Sequence, residues 1–184
     1  MVPEHSKYIF FGVASLGALL LVLSLRGGGP PREGSATSHL SDAEMEGVFR
    51  QHEEDFGRLV GMSRMDAKVI RIAPTFTWLD DNARWPRPES ELGFSRERWD
   101  EYRRLFDELG LKEGLAKDVE GDAVYLIAYS QGLGTGGSGK GYVYSPKELS
   151  PLYDSLDNIP PASSGGKHVY KKLKESWYLF YYDN

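Results

Sequence analysis

The chain of 184 residues contains no cysteine, and this absence removes several kinds of chemistry at once. Disulfides, thiol nucleophiles, iron–sulfur clusters and cysteine-based zinc sites all need that side chain. The lipid-modified cysteine that a bacterial lipoprotein carries is excluded for the same reason. The function therefore has to be sought among the other side chains.

Positive charge is also in short supply. The chain has 22 lysine and arginine residues against 27 aspartate and glutamate residues, which gives a net charge of −5. General binding to nucleic acid needs many cations to neutralise phosphates, so this balance argues against a nucleic-acid partner.

Histidine is scarce as well, with four residues in the whole chain. His5 precedes a long apolar run and His39 lies in a predicted linker, so His52 and His168 are the two that remain for a folded domain. No histidine pair occurs at a spacing of three or four residues, and no G-x-S-x-G motif is present. The sequence indicates no catalytic triad, no metal site and no cofactor.

A single long apolar run lies near the start, where residues 8–25 carry no charge. Eighteen residues are just enough to cross a bilayer core as a helix. A cleaved signal peptide is the alternative, because Lys7 precedes the run, but no A-x-A cleavage site follows it. The charges on the two sides, Lys7 against Arg26 and Arg32, do not decide the orientation. The usual signal-anchor arrangement predicts a single-pass protein of the bacterial inner membrane, with its domain facing the periplasm or exterior.

The organisation that follows is an anchor over residues 1–26, a flexible linker over 27–39 and an extracytoplasmic domain over 40–184. The linker is rich in glycine, proline and serine and has no apolar anchors. Residues 1–26 hold two of the basic and one of the acidic side chains, so the remainder has 20 against 26 and a net charge of −6.

Two amphipathic helices are predicted in the domain. A capping box at residues 41–44 begins the first, and apolar residues at helical spacing extend it for about five turns to Gly61. Ser95 caps the second, with Phe94 expected to contact Trp99, and Gly110 ends it.

The remaining apolar segments favour strands, and the whole pattern predicts an α+β fold in which two helices pack on a small, mostly antiparallel sheet. A polar loop is predicted over residues 80–88. The predicted strands are residues 69–73, 123–129, 141–145 and 176–182.

A glycine-rich segment, residues 132–141, is the most distinctive motif. From Gly134 it matches the phosphate-binding pattern G-x-x-x-x-G-K-[ST] except that Gly141 replaces the hydroxyl residue, and a strand rather than a helix follows. These two departures argue against a nucleotide. The segment is expected to be a mobile hairpin loop, or alternatively a nest of backbone amides that binds an anionic group with help from Lys140. The glycines of that nest are Gly134, Gly136, Gly137 and Gly139.

Tyrosines are concentrated on the predicted strands. Strand alternation places Tyr125 and Tyr129 on one face, and likewise Tyr142 and Tyr144. An uncovered aromatic face would bind a peptide, a glycan or a protein, whereas a covered one would be core.

Four short segments of the last third of the chain form one further pattern: residues 140–144, 151–152, 155–157 and 177–180. This pattern resembles one in small bacterial membrane-anchored or exported proteins of unknown function. The resemblance implies no activity and no site residues.

Three functions remain open at this point. The first is a membrane-anchored, non-enzymatic binding module with an envelope protein, peptide or glycan as partner, which uses Lys140 and the four tyrosines. The second is an envelope hydrolase or transferase, with the glycine loop as an anion hole and Asp80 or Asp81 as the acid–base group. The third is an immunity-type partner that neutralises a secreted toxin.

Overall fold

A computed structural model describes residues 40–79, 82–84, 91, 94–118, 122–132, 137–159 and 166–183. Within these ranges the chain is an α+β domain, as the sequence predicts. Its helices are α1 (Asp42–Gln51), α2 (Glu53–Met65) and α3 (Arg96–Glu108).

Within the described ranges the strands are β1 (Val69–Ile72), β2 (Thr77–Leu79), β3 (Asn82–Arg84), β4 (Gly114–Lys117), β5 (Val124–Gln131), β6 (Ser138–Tyr144), β7 (Lys167–Lys174) and β8 (Trp177–Asp183). They form one sheet in which all strand pairs are antiparallel, and the spatial order is β3-β2-β1-β4-β5-β6-β8-β7. The sheet is larger than predicted, because β2, β3, β4 and β7 lie outside the four predicted strand segments.

Two of these four strands, β3 and β4, have weak sequence patterns. β3 lies inside the segment predicted as a polar loop, and its three residues extend the β1–β2 hairpin. β4 carries the sequence Gly-Leu-Ala-Lys, which lacks β-branched residues. It is stabilised by pairing with β1 on one side and β5 on the other, so tertiary pairing outweighs its own propensity.

The first predicted helix is interrupted. The capping box at Ser41 and Glu44 is present, but the backbone leaves helical geometry at His52, and α2 then continues through Gly61 to Met65. The end predicted at Gly61 is therefore wrong, because a glycine in a helix interior costs only about 1 kcal/mol and packing of the apolar face compensates.

Both ends of α3 are confirmed. The Ser95 side chain accepts a hydrogen bond from the Arg98 N–H, and Gly110 has a φ of 67°. The Leu111 N–H donates to the Phe106 carbonyl at 2.7 Å, which completes a Schellman motif and buries Leu111. Phe94 packs its ring on Tyr102, with centroids 5.8 Å apart.

The helices cover one face of the sheet. Phe56 of α2 packs on Tyr142 of β6 with centroids 4.5 Å apart, and Phe49 of α1 packs on Trp177 of β8 at 5.2 Å. The other face has its own apolar cluster, which includes Val143, Phe180 and Tyr182. Both faces are therefore core.

The glycine-rich segment ends earlier than predicted, since β6 begins at Ser138. Gly139 and Gly141 lie in this strand beneath aromatic rings of β8. A Cβ on Gly139 would lie 2.4 Å from the Tyr182 ring, and one on Gly141 would lie 2.2 Å from the Leu126 carbonyl oxygen. These two glycines are needed for close packing and not for a turn.

A β-bulge between Ile127 and Tyr129 corrects the predicted tyrosine faces. The extra residue shifts the alternation, so Tyr129 pairs with Lys140 on the helix-covered face while Tyr125 pairs with Val143 on the other. Tyr142 and Tyr144 do share the helix-covered face, as expected.

No helix in the ranges given above has both the length and the apolar character that crossing a bilayer requires. The predicted span, residues 8–25, and the predicted linker, residues 27–39, lie outside those ranges.

The substitution Gly141→Ala is expected to lower the free energy of unfolding by roughly 1–3 kcal/mol, because the added methyl group would overlap the Leu126 carbonyl and the Phe180 ring. Chemical denaturation with urea would measure this. Gly61→Ala is the matched control, since a Cβ there meets nothing within 4 Å. It should raise stability by about 0.5–1 kcal/mol. Equal effects at the two positions would contradict the packing role.

Candidate functional site

The sequence-predicted site residues do not form one exposed site. Lys140 is 2 % exposed and Tyr142 is 1 % exposed, so both lie in the interior. Tyr125, Tyr129 and Tyr144 are half-buried. Of the nest glycines, Gly137 and Gly139 are described, whereas Gly134 and Gly136 lie outside the described residues, as do Asp80 and Asp81.

Lys140 is the centre of a buried charge network. Its Nζ lies 2.8 Å from Asp42 Oδ1 and 2.7 Å from Asp157 Oδ1, and it donates to the Leu40 carbonyl at 3.0 Å. Strand β6 supplies the lysine and the first turn of α1 supplies Asp42. We call Lys140, Asp42, Asp157, Lys171 and Glu46 the Lys140 network.

Asp42 is held by further donors in the Lys140 network. Its Oδ2 accepts from the Leu156 N–H at 2.8 Å and from Lys171 Nζ at 3.2 Å, while its own N–H donates to Asp157 Oδ1 at 2.8 Å. Lys171 of β7 also pairs with Glu46 at 2.8 Å. The network thus ties the start of α1 to β6, β7 and the segment around residue 156.

These contacts set the charge state of Asp42. Burial raises the pKa of this carboxyl, but the hydrogen bonds from Lys140 and the Leu156 N–H, together with the Lys140 charge, outweigh burial and lower the pKa to about 2. The carboxylate is therefore ionised at neutral pH. An ammonium with two carboxylates and a carbonyl around it is already saturated with acceptors, so Lys140 acts as an internal tie and not as a contact for an anionic ligand.

Tyr125 belongs to the opposite face of the sheet. Its ring meets Phe180 edge to face at 5.2 Å, and its hydroxyl is 3.5 Å from that of Tyr170. Burial raises the pKa of Tyr125. The hydroxyl stays protonated at any physiological pH, and the side chain serves as core.

Arg71 is a buried residue of this same face that the sequence did not single out. It is 3 % exposed, donates to the Glu113 carbonyl at 3.1 Å and lies 3.7 Å from the Glu113 carboxylate. Burial lowers the pKa of the guanidinium, and the nearby charge of Glu113 opposes that effect. Its pairing with Ala116 places it on the face of the sheet that carries the second apolar cluster.

Tyr144 is the last residue of β6, and its ring lies beside the C-terminal end of α2. The Arg64 guanidinium stacks 4.9 Å above its ring, and the ring meets Trp177 edge to face at 5.3 Å. Met65, next to Arg64, is 72 % exposed. We call Arg64, Met65 and Tyr144 the Tyr144 surface. Sequence reasoning missed Arg64 and Met65 because it ended the helix at Gly61.

No three histidine, aspartate or glutamate side chains are placed to hold a metal ion in the part of the chain that the structure describes. Comparison with protein-family models, with curated proteins and with solved structures finds no match.

Stability is expected to fall as the pH is lowered from 4 to 2, in part through Asp42. The folded-state pKa of about 2 lies below the value near 4 of an unfolded chain. The ionised Asp42 carboxylate contributes about 2 kcal/mol to the free energy of unfolding. This contribution is therefore fully present above pH 4 and is lost as the pH falls through the folded-state pKa. Urea unfolding at a series of pH values would measure it. Asp42→Asn should remove this part of the pH dependence, and Asp107→Asn, the same change at an exposed position of α3, should not.

The substitution Lys140→Met is expected to destabilise the domain by roughly 3–5 kcal/mol, because it leaves Asp42 and Asp157 without their shared cation. The double variant with Asp42→Asn should cost less than the sum of the two single changes, by about 1–3 kcal/mol. Lys172→Met, at an exposed lysine of β7, should cost less than about 1 kcal/mol. Additive effects in this cycle would show that the two side chains do not interact in solution.

Proposed function

We propose that the chain is a single-pass protein of a bacterial inner membrane, tethered by residues 8–25, whose domain is a non-enzymatic binding module outside the cytoplasm. The apolar run supports the tether, and the absence of cysteine is compatible with a domain outside the cytoplasm. The Tyr144 surface supports the binding role and is the observation on which the proposal depends.

The composition and support of the Tyr144 surface favour a protein or peptide partner. Tyrosine and arginine are the residues that most often dominate binding energy, and methionine is enriched in contact surfaces. Tyr144 is held from below by Trp177, and Arg64 is held by stacking on Tyr144. Few rotamers are therefore lost when a partner covers these groups, which favours affinity.

The alternative of an envelope hydrolase or transferase receives less support. Lys140, which was expected to add positive charge to an anion hole, is engaged with Asp42 and Asp157 instead. Gly139 lies in β6 beneath Tyr182. No observation on the described residues specifically favours an immunity-type function, although the net charge of −6 is compatible with it.

Capture from envelope extracts with a purified fragment of residues 40–184 would test the proposal, because the apolar clusters of the domain are built from residues within that range. A partner captured by the parent fragment should be recovered at least about tenfold less well by a fragment with Arg64→Ala and Met65→Asp.

The control carries Arg50→Ala and Gln51→Asp, which introduce the same two residues at adjacent exposed positions of α1. It should bind like the parent fragment. Equal losses in both variants would show that the Tyr144 surface is not the contact. Turnover of an ester, a peptide or a glycan by the same fragment would contradict a non-enzymatic role.

A further inference from the structure

Three exposed apolar side chains lie outside the Tyr144 surface. Leu40 is 43 % exposed, and Leu152 and Tyr153, between β6 and β7, are 54 % and 40 % exposed. Among the described residues, these three and Met65 are the large apolar side chains with the greatest exposure. On folded domains in general, exposed apolar groups that lie close together mark a contact surface.

The segment that carries Leu152 and Tyr153 is held firmly on the edge strand β7. The Tyr170 N–H donates to the Pro151 carbonyl at 3.0 Å, and the Tyr153 N–H donates to the Tyr170 carbonyl at 2.8 Å. The Lys167 ammonium lies 5.7 Å from the centroid of the Tyr153 ring. The two apolar side chains are thus presented by an ordered backbone.

The same segment leads directly to the start of the domain. Three residues after Tyr153, the Leu156 N–H bonds to Asp42, and the carbonyl of Leu40 bonds to Lys140. Three residues span at most about 10 Å. The backbone of Tyr153 therefore lies within about 10 Å of Leu156, which is bonded to Asp42, two residues after Leu40.

We infer that Leu40, Leu152 and Tyr153 form a surface that docks on the bilayer holding the N-terminal anchor, with the two residues at 152–153 inserted at the level of the lipid headgroups. This inference rests on the proposed tether. Fourteen residues, 26–39, separate the predicted span from Leu40. For a linker of this length and of the composition predicted from the sequence, the expected root-mean-square length is about 20 Å, less than the diameter of a domain of this size. The side of the domain that carries residue 40 is therefore the side that meets the membrane.

The chemistry of the surface matches the interface of a bilayer. Tyrosine concentrates at headgroup level, leucine partitions into the acyl boundary, and a lysine such as Lys167 keeps its ammonium in water while its stem lies along apolar groups. The net charge of −6 on residues 27–184 gives no general attraction to anionic lipid. Docking therefore depends on apolar insertion, assisted by an effective concentration of the order of millimolar that a short linker provides.

The absence of cysteine allows a clean test with single-cysteine reporters in the full chain. Asp154→Cys places a reporter beside Tyr153, and Asp107→Cys places one on the exposed side of α3 as a position control. Each full-length variant is inserted into nanodiscs of phosphatidylcholine and treated with a charged, membrane-impermeant maleimide. We expect the reporter at 154 to react at least about fivefold more slowly than in a fragment of residues 40–184 in water, and the reporter at 107 to change less than twofold.

Two variant pairs separate docking from a general effect of the nanodisc. Leu152→Asn with Tyr153→Ser should restore fast labelling at 154, whereas Leu152→Met with Tyr153→Phe should keep the protection. Equal labelling with and without the bilayer, or protection that needs phosphatidylglycerol, would overturn docking by apolar insertion. Failure of the tether has its own readout: a full chain that alkaline carbonate extracts from vesicles has no membrane anchor. A chain that stays in the vesicles but labels rapidly at 154 is anchored and does not dock.

Discussion

The buried ion pair between Lys140 and Asp42 is the constraint on which the arrangement of helices and sheet depends. A charge that is almost fully removed from water is stable only with well-placed partners, so the ion pair restricts where the first turn of α1 can lie above β6. Once that position is set, Phe49 and Phe56 fall onto Tyr142, whose hydroxyl donates to the Met45 carbonyl at 3.1 Å. The polar contact fixes the register in which the apolar surfaces pack.

A second constraint acts between β6 and β8 on the opposite face. The rings of Phe180 and Tyr182 lie nearly parallel, with centroids 6.3 Å apart, and they cover the bare backbone at Gly141 and Gly139. Gly139 and Gly141 lie in the segment that gives the sequence its likeness to a phosphate-binding loop. In the structure these two glycines allow the aromatic rings of β8 to pack closely on β6. Glycine serves both in tight turns and where an aromatic ring packs closely on the backbone, and a linear motif does not show which of the two applies.

Features encoded by neighbouring residues could be predicted from the sequence. The caps at Ser41 and Ser95 and the left-handed Gly110 depend on side chains and backbone within a few positions of each other, and all three are confirmed. So are the α+β class and the final strand of the sheet. These predictions needed no knowledge of distant contacts.

Features that depend on distant partners could not be predicted. The bulge before Tyr129 shifts that side chain to the other face, and no residue type announces it. Lys140 and Asp42 are 98 positions apart, so a lysine among glycines looked like a ligand contact when it is an interior tie. The Tyr144 surface could not be predicted because Arg64 and Met65 lie beyond Gly61, where the helix was predicted to end. Packing of the apolar face extends α2 to Met65.

The short parallel bridge between Leu152 and Tyr170 has a consequence for the outer border of the sheet. β7 is a terminal strand, and an open border of this kind recruits strands from other molecules. At its midpoint, the outward-facing amide and carbonyl of Tyr170 are already occupied by residues 151 and 153. The backbone groups at this point of β7 are therefore unavailable to a strand of another molecule, and the fold itself opposes self-association by strand addition here.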